Sequence, residues 1–136
     1  MKFPWRSDRA EEAPGSYTSE TVVDSGAVPG VRFTIAKMSF GRRVELMRRV
    51  RELARRTEFL AASEDLNDKM DAALLQAEIE RVYVRWGVKK VSGLAVDGVV
   101  AGPDLLAEAG PEALFREALA AVRRETGLSE EERKNS

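Results

Sequence analysis

The chain predicts a mainly α fold with minor β, a compact helical domain of three to five helices with short N-terminal and central β-hairpins. Three observations lead there. Apolar residues recur at helical spacing from Ser39 onward with no Pro or Gly between Arg42 and Trp86. A second helical stripe follows Pro111, and the strand-like runs are short and bounded by Gly, Pro, Ser and Asp. At 136 residues the chain has the length of one domain, enough to bury most of the surface its unfolded form would expose.

Residues 1–20 mix Pro4, Pro14, Gly15 and serines with charges and carry no apolar period, so a flexible arm is expected, with Phe3 and Trp5 as its anchors. A single helical domain is expected over 21–127 and a charged tail over 128–136. Thr21-Val22-Val23 is β-rich, Ser25-Gly26 and Pro29-Gly30 are turn signals, and Val31, Phe33 and Ile35 alternate with Arg32 and Thr34. The spacing predicts a small, half-exposed hairpin.

In the first long helix Leu46, Met47, Val50, Leu53, Ala54, Leu60 and Ala61 share a face. Arg42, Arg48, Arg49, Arg51, Arg55 and Arg56 lie opposite, with Glu45 and Glu52 among them at i, i+4 spacing to Arg49 and Arg56. That arginine face has three readings: a solvated, ion-paired surface, a docking face for an acidic partner, or a nucleic-acid contact. Ser63 is expected to cap the next helix, with Glu64 and Asp65 favouring its first turn. The second helix, to about Trp86, has two apolar faces: Leu66, Met70, Ala73, Leu74, Ala77 and Val84 on one, Leu75, Ile79, Val82, Tyr83 and Trp86 on the other. Such a helix is expected to be sandwiched, with one face on the first helix and the other under the C-terminal helix, the hairpins or a second copy in a homo-oligomer.

Gly87 reads as a C′ glycine ending that helix. Leu94-Ala95-Val96, Asp97-Gly98 and Val99-Val100 spell a two-residue hairpin. Gly102-Pro103-Asp104 opens a short helix that stops at Gly110, and Pro111 at a first helical position opens the last one, striped by Leu114, Phe115, Ala118, Leu119 and Val122 up to Gly127. Ser129 with Glu132 forms a capping box in the tail.

Chemistry is sparse. The chain has no His and no Cys, which removes the imidazole base, the thiol nucleophile and the softer metal ligands together. Phosphate loops and nucleophile elbows are absent. The carboxylates Glu64, Asp65, Asp68, Glu78 and Glu80 are flanked by Lys69, Arg81 and Arg85 and read as surface charge. No catalytic, cofactor or metal site is expected, and no enzyme. With 22 basic and 23 acidic residues the chain has no long-range pull on nucleic acid or an anionic membrane, and no apolar run approaches a signal or membrane-spanning segment. A soluble, intracellular binding protein is the expectation.

The tail Leu128-Ser129-Glu130-Glu131-Glu132-Arg133-Lys134-Asn135-Ser136 resembles the ending of small phage tail assembly chaperones, those encoded just before the tape-measure gene. Further short runs carry the same likeness: Val31–Thr34, Ser39–Arg43, Tyr83-Val84-Arg85-Trp86-Gly87, Leu94–Gly98 and Gly110-Pro111-Glu112. The resemblance spans roughly residues 20–136. It implies a non-enzymatic helper in the host cytoplasm that binds the tape-measure protein and brings the major tail protein to it, stays out of the mature virion, and in many relatives has a frameshifted longer form. A structural neck or tail-completion protein and a nucleic-acid-binding regulator are the alternatives. A chaperone of that kind needs apolar surface to cover a helical client and a charged rim to keep the complex soluble. Leu75, Ile79, Val82, Trp86, Leu114, Phe115 and Leu119 are the candidates for the first, and Arg48, Arg49, Arg55 and Arg56 for the second.

Overall fold

The alternation at Val31, Phe33 and Ile35 puts three apolar side chains on one face of a strand, and all three are buried. The structure, a computed structural model describing residues 13–127, builds a sheet around that strand. Strand β1 (Glu20–Asp24) and β2 (Arg32–Ala36) form the expected hairpin. A third strand, β3 (Val88–Ser92), pairs antiparallel with the other edge of β2, so the order is β1-β2-β3 and β2 is central rather than half-exposed. Between Gly30 and Gly93 the backbones nearly touch. Both glycines have positive φ, and a Cβ at Gly93 would lie 2.1 Å from the Gly30 carbonyl oxygen, so no side chain fits there.

Between β2 and β3 run the two long helices, α1 (Phe40–Ala61) and α2 (Leu66–Gly87). Ser39 caps α1, its hydroxyl accepting from the Arg42 amide. The cap of α2 is Asp65, not Ser63: the Asp65 carboxylate accepts from the Asn67 amide at 2.7 Å, while the Ser63 hydroxyl accepts from the Asp65 amide in the connecting turn. The carboxylate also carries the charge that favours a helix N-terminus. Gly87 departs from the expected role as well. It is the last residue of α2, lacks a positive φ, and hands the chain straight to β3.

After β3 comes the predicted tight hairpin, β4 (Ala95–Val96) and β5 (Val99–Val100). Asp97 and Gly98 take φ of 49° and 80°, the pair of positive values that a two-residue turn of this hand requires. Helix α3 (Pro103–Ala109) and helix α4 (Glu112–Thr126) follow, with Pro111 at the cap position of α4, one residue before the expected place. Gly127 closes α4 in the left-handed conformation. The fold is thus mainly α with minor β, with four helices, a three-stranded sheet and a two-stranded hairpin among the described residues.

Helix α4 is the keel. Leu114, Ala118, Leu119, Ala121 and Val122 bury against Val31, Phe33 and Ile35 of the sheet, Val84 and Val88 at the end of α2, and Leu106 of α3. The upper parts of α1 and α2 lie outside this core. Helix α1 packs on α2 and on little else, and of its 22 residues only Leu46 is buried. The buried residues of α2 include Ile79, Val84, Trp86 and Gly87 near its C-terminal end but only Ala72 nearer its start. The result is a two-helix arm rooted in an α/β body.

Candidate binding surfaces

A hairpin of two helices has only one mutual interface, so any second apolar stripe must be covered by something else or stay wet. On α2 the second stripe is Leu66, Met70, Ala73, Leu74, Ala77 and Val84. Its last member, Val84, is fully buried where α4 crosses. Toward the arm the cover ends at a shallow hollow of about 300 Å³, lined by Ala77, Glu80, Phe115 and Arg116 among others. Beyond it Leu66, Met70 and Leu74 are 70%, 57% and 67% exposed. The sandwich expected from the sequence is therefore complete only at the root of α2.

The seven apolar candidates for partner contact are placed mostly on the inside. Ile79, Trp86, Leu114 and Leu119 are buried, and Leu75, Val82 and Phe115 are half-buried. Their faces meet α1, the sheet and α4, so the chain's own packing uses the surface that had been assigned to a partner. Accessible apolar side chains on the two long helices include the opposite face of α2 and, on α1, Met47 and Phe59, 59% and 80% exposed, with Phe40 at the start of α1; Val22, Val99 and Val100 are exposed on the strands. Periodicity identified both faces of α2 without saying which one the body would cover.

Arg48, Arg49, Arg55 and Arg56 are all exposed on α1, as expected. Arg49 pairs with Glu45 at 3.1 Å, whereas Glu52 turns to Arg55 at 3.8 Å rather than to Arg56. Pairs this exposed contribute little, typically about 0–1 kcal/mol each. Alongside these arginines runs a mostly apolar groove of about 410 Å³, lined by Val44, Met47, Val50 and Ala54 together with Arg48, Arg51, Arg55 and Glu58. Met47, Val50 and Ala54 belong to the apolar face of α1 that periodicity marks, and there Met47 is exposed while Val50 and Ala54 are half-buried.

Glu80, Arg81 and Arg85 of α2 tie the helix to its neighbours. Glu80 receives Arg116 at 2.9 Å and lies 3.7 Å from Arg123, both on α4, while Arg81 reaches Glu78 and Glu108, and Arg85 reaches Asp104. Among the described residues no group of three or more potential ligands is placed to hold a metal ion, and no described helix is long and apolar enough to cross a membrane. One further site was not foreseen. Glu117 of α4 reaches the turn after β1, accepting from the Ser25 hydroxyl and from the amides of Gly26 and Ala27 at 2.7 and 3.3 Å. The Ser25 hydrogen bond, helped by the two amides, holds the Glu117 carboxyl below its ordinary value of 4.5 against the opposing effect of burial. Comparison with protein-family models, curated proteins and solved structures returned no match. The charged tail, with its capping box at Ser129, and the aromatic anchors Phe3 and Trp5 lie outside the described residues.

Proposed function

We propose that this chain is a non-enzymatic assembly chaperone of phage tails, which covers helical segments of the tape-measure protein and brings major tail protein to it. The observation that carries the reading is the arm: two helices with apolar residues facing solvent at Met47, Phe59, Leu66, Met70 and Leu74, set on a body whose own core is closed. Exposed apolar surface flanked by charge suits a protein that takes up and releases a helical client. The resemblance of the short sequence runs to tail assembly chaperones supplies the identity of that client. Methionines at Met47 and Met70 add side chains able to fit more than one apolar shape.

Co-expression is the test. With the tape-measure protein of the same phage, this chain is expected to co-purify and to raise the amount of soluble tape-measure protein, and to be missing from finished particles by mass spectrometry. Stoichiometric presence in the particle would instead make it a structural component. A tape-measure protein equally soluble with and without it would overturn the chaperone reading.

A further inference from the structure

The groove on α1 joins apolar side chains to arginines at helical spacing. Val44, Met47, Arg51, Ala54 and Glu58 follow one another at alternate steps of three and four residues, the spacing of a coiled-coil seam, with Val44, Met47 and Ala54 apolar and Arg51 and Glu58 charged. From Val44 to Glu58 the seam runs about 21 Å at a rise of about 1.5 Å per residue, four turns of helix. Arg51 sits in the middle of the seam, and Arg48 and Arg55 form one flank. Among the described residues Arg48 and Arg51 have no ion-pair partner, and Arg55 has only the long contact to Glu52.

A second α1 is a poor occupant. Parallel pairing would bury Arg51 against its own copy, and antiparallel pairing would bring the arginine flanks of the two helices together, both like-charge contacts in a closing interface. Nucleic acid is also poorly matched, because the floor is apolar and α1 carries Glu45, Glu52 and Glu58 among its seven arginines. We infer that the α1 groove binds an amphipathic helix of another protein, with an apolar stripe for Val44, Met47, Val50 and Ala54, an acidic residue opposite Arg51, and acidic residues along the edge that meets Arg48 and Arg55. The inference rests on the reading of the arm as a client-binding surface and adds the chemistry of the client segment.

Designed three-heptad peptides are the probe: leucines in the seam, with either glutamates or glutamines along the flanks and at the central seam position. The glutamate peptide is expected to bind in a one-to-one complex that weakens as salt rises, and the glutamine peptide to bind about tenfold more weakly, the equivalent of one decade in Kd. Arg51→Glu, and Arg48→Glu with Arg55→Glu, should each abolish that preference, while a lysine-flanked peptide should gain affinity for the double variant. These side chains are exposed, so thermal melts of the variants should match the parent and exclude unfolding as the cause. Equal affinity for both peptides, binding of neither, tighter binding of a single-stranded oligonucleotide through the same arginines, or sedimentation as a dimer that Arg51→Glu dissociates would each overturn the inference. A tape-measure protein captured undiminished by Arg51→Glu would remove the groove assignment and leave the chaperone reading intact. Binding of the glutamate peptide without tape-measure capture would do the reverse.

Discussion

Gly87 and Val122 meet where α2 hands over to β3 against α4, and a Cβ on Gly87 would stand 2.6 Å from both methyl carbons of Val122. The glycine is there for closeness rather than for an unusual φ. Val122 is buried in the centre of the core and has one stiff torsion, so it has little room to move aside. Gly87→Ala should therefore destabilise the protein by about 1–3 kcal/mol through overpacking. Adding Val122→Ala should recover part of that loss, giving a coupling in the double-mutant cycle of denaturant melts. Additive effects would show that the two residues do not press on each other.

Glu117 fastens the turn after β1 to α4. Its carboxyl lies below 4.5 in the folded chain, so the unfolded state takes up the proton first as pH falls. The stabilisation from this contact is then complete above the unfolded value and fades as pH drops through 4.5 toward the lower folded value. Glu117→Gln keeps the shape but has one acceptor oxygen in place of two, so it cannot accept both from the Ser25 hydroxyl and from the Gly26 and Ala27 amides. The variant should melt lower than the parent at pH 7, with the gap narrowing near pH 3. A gap that stays constant across that range would mean the carboxylate charge is irrelevant.

Trp86 is buried and lies under the Arg42 guanidinium at 5.6 Å, but among the described residues its indole nitrogen has no hydrogen-bond partner. Trp86→Ala removes a large buried ring and should cost roughly 3–5 kcal/mol. Trp86→Phe keeps much of the ring and removes an unpaired buried donor, whose burial is itself unfavourable by about 1–3 kcal/mol. The phenylalanine variant should accordingly lose well under half as much stability as the alanine variant in urea melts. Comparable losses would show that the indole nitrogen has a partner in solution.

The body was legible in the sequence wherever one local rule acted alone. Apolar spacing marked both long helices, Pro103 and Gly127 marked helix ends, and Asp97-Gly98 marked the tight turn. Strand β3 was missed because its alternation is broken: the register slips between Thr34 and Ile35, pairing them with Lys90 and Val88 and leaving Lys89 without an opposite number. The two apolar faces of α2 were legible, but not which of them the body covers. Leu74 and Leu75 are adjacent leucines on opposite faces of one helix, and nothing in their spacing says which face α4 and the sheet will cover. That choice is made by chain crossing, which local periodicity does not encode.

The exposed stripe of α2 gives the sharpest separation of stability from function. Leu66, Met70 and Leu74 face solvent, so replacing Met70 and Leu74 by Ser removes apolar surface that the folded chain does not use. Single changes at such positions usually stay within about 0.5 kcal/mol of the parent, apart from a small helix-propensity cost. Leu114 is fully buried under the sheet, and Leu114→Ala should cost about 2–5 kcal/mol. On the proposed function, capture of the tape-measure protein should order the variants the other way. Met70→Ser with Leu74→Ser should keep the melting temperature and lose most of the co-purified client, whereas Leu114→Ala, assayed well below its lowered melting point, should retain client in proportion to its folded fraction. If the serine variant captures client like the parent while Leu114→Ala loses it at temperatures where it is folded, the buried face is the one that opens to bind, and the arm's solvent face is only a surface.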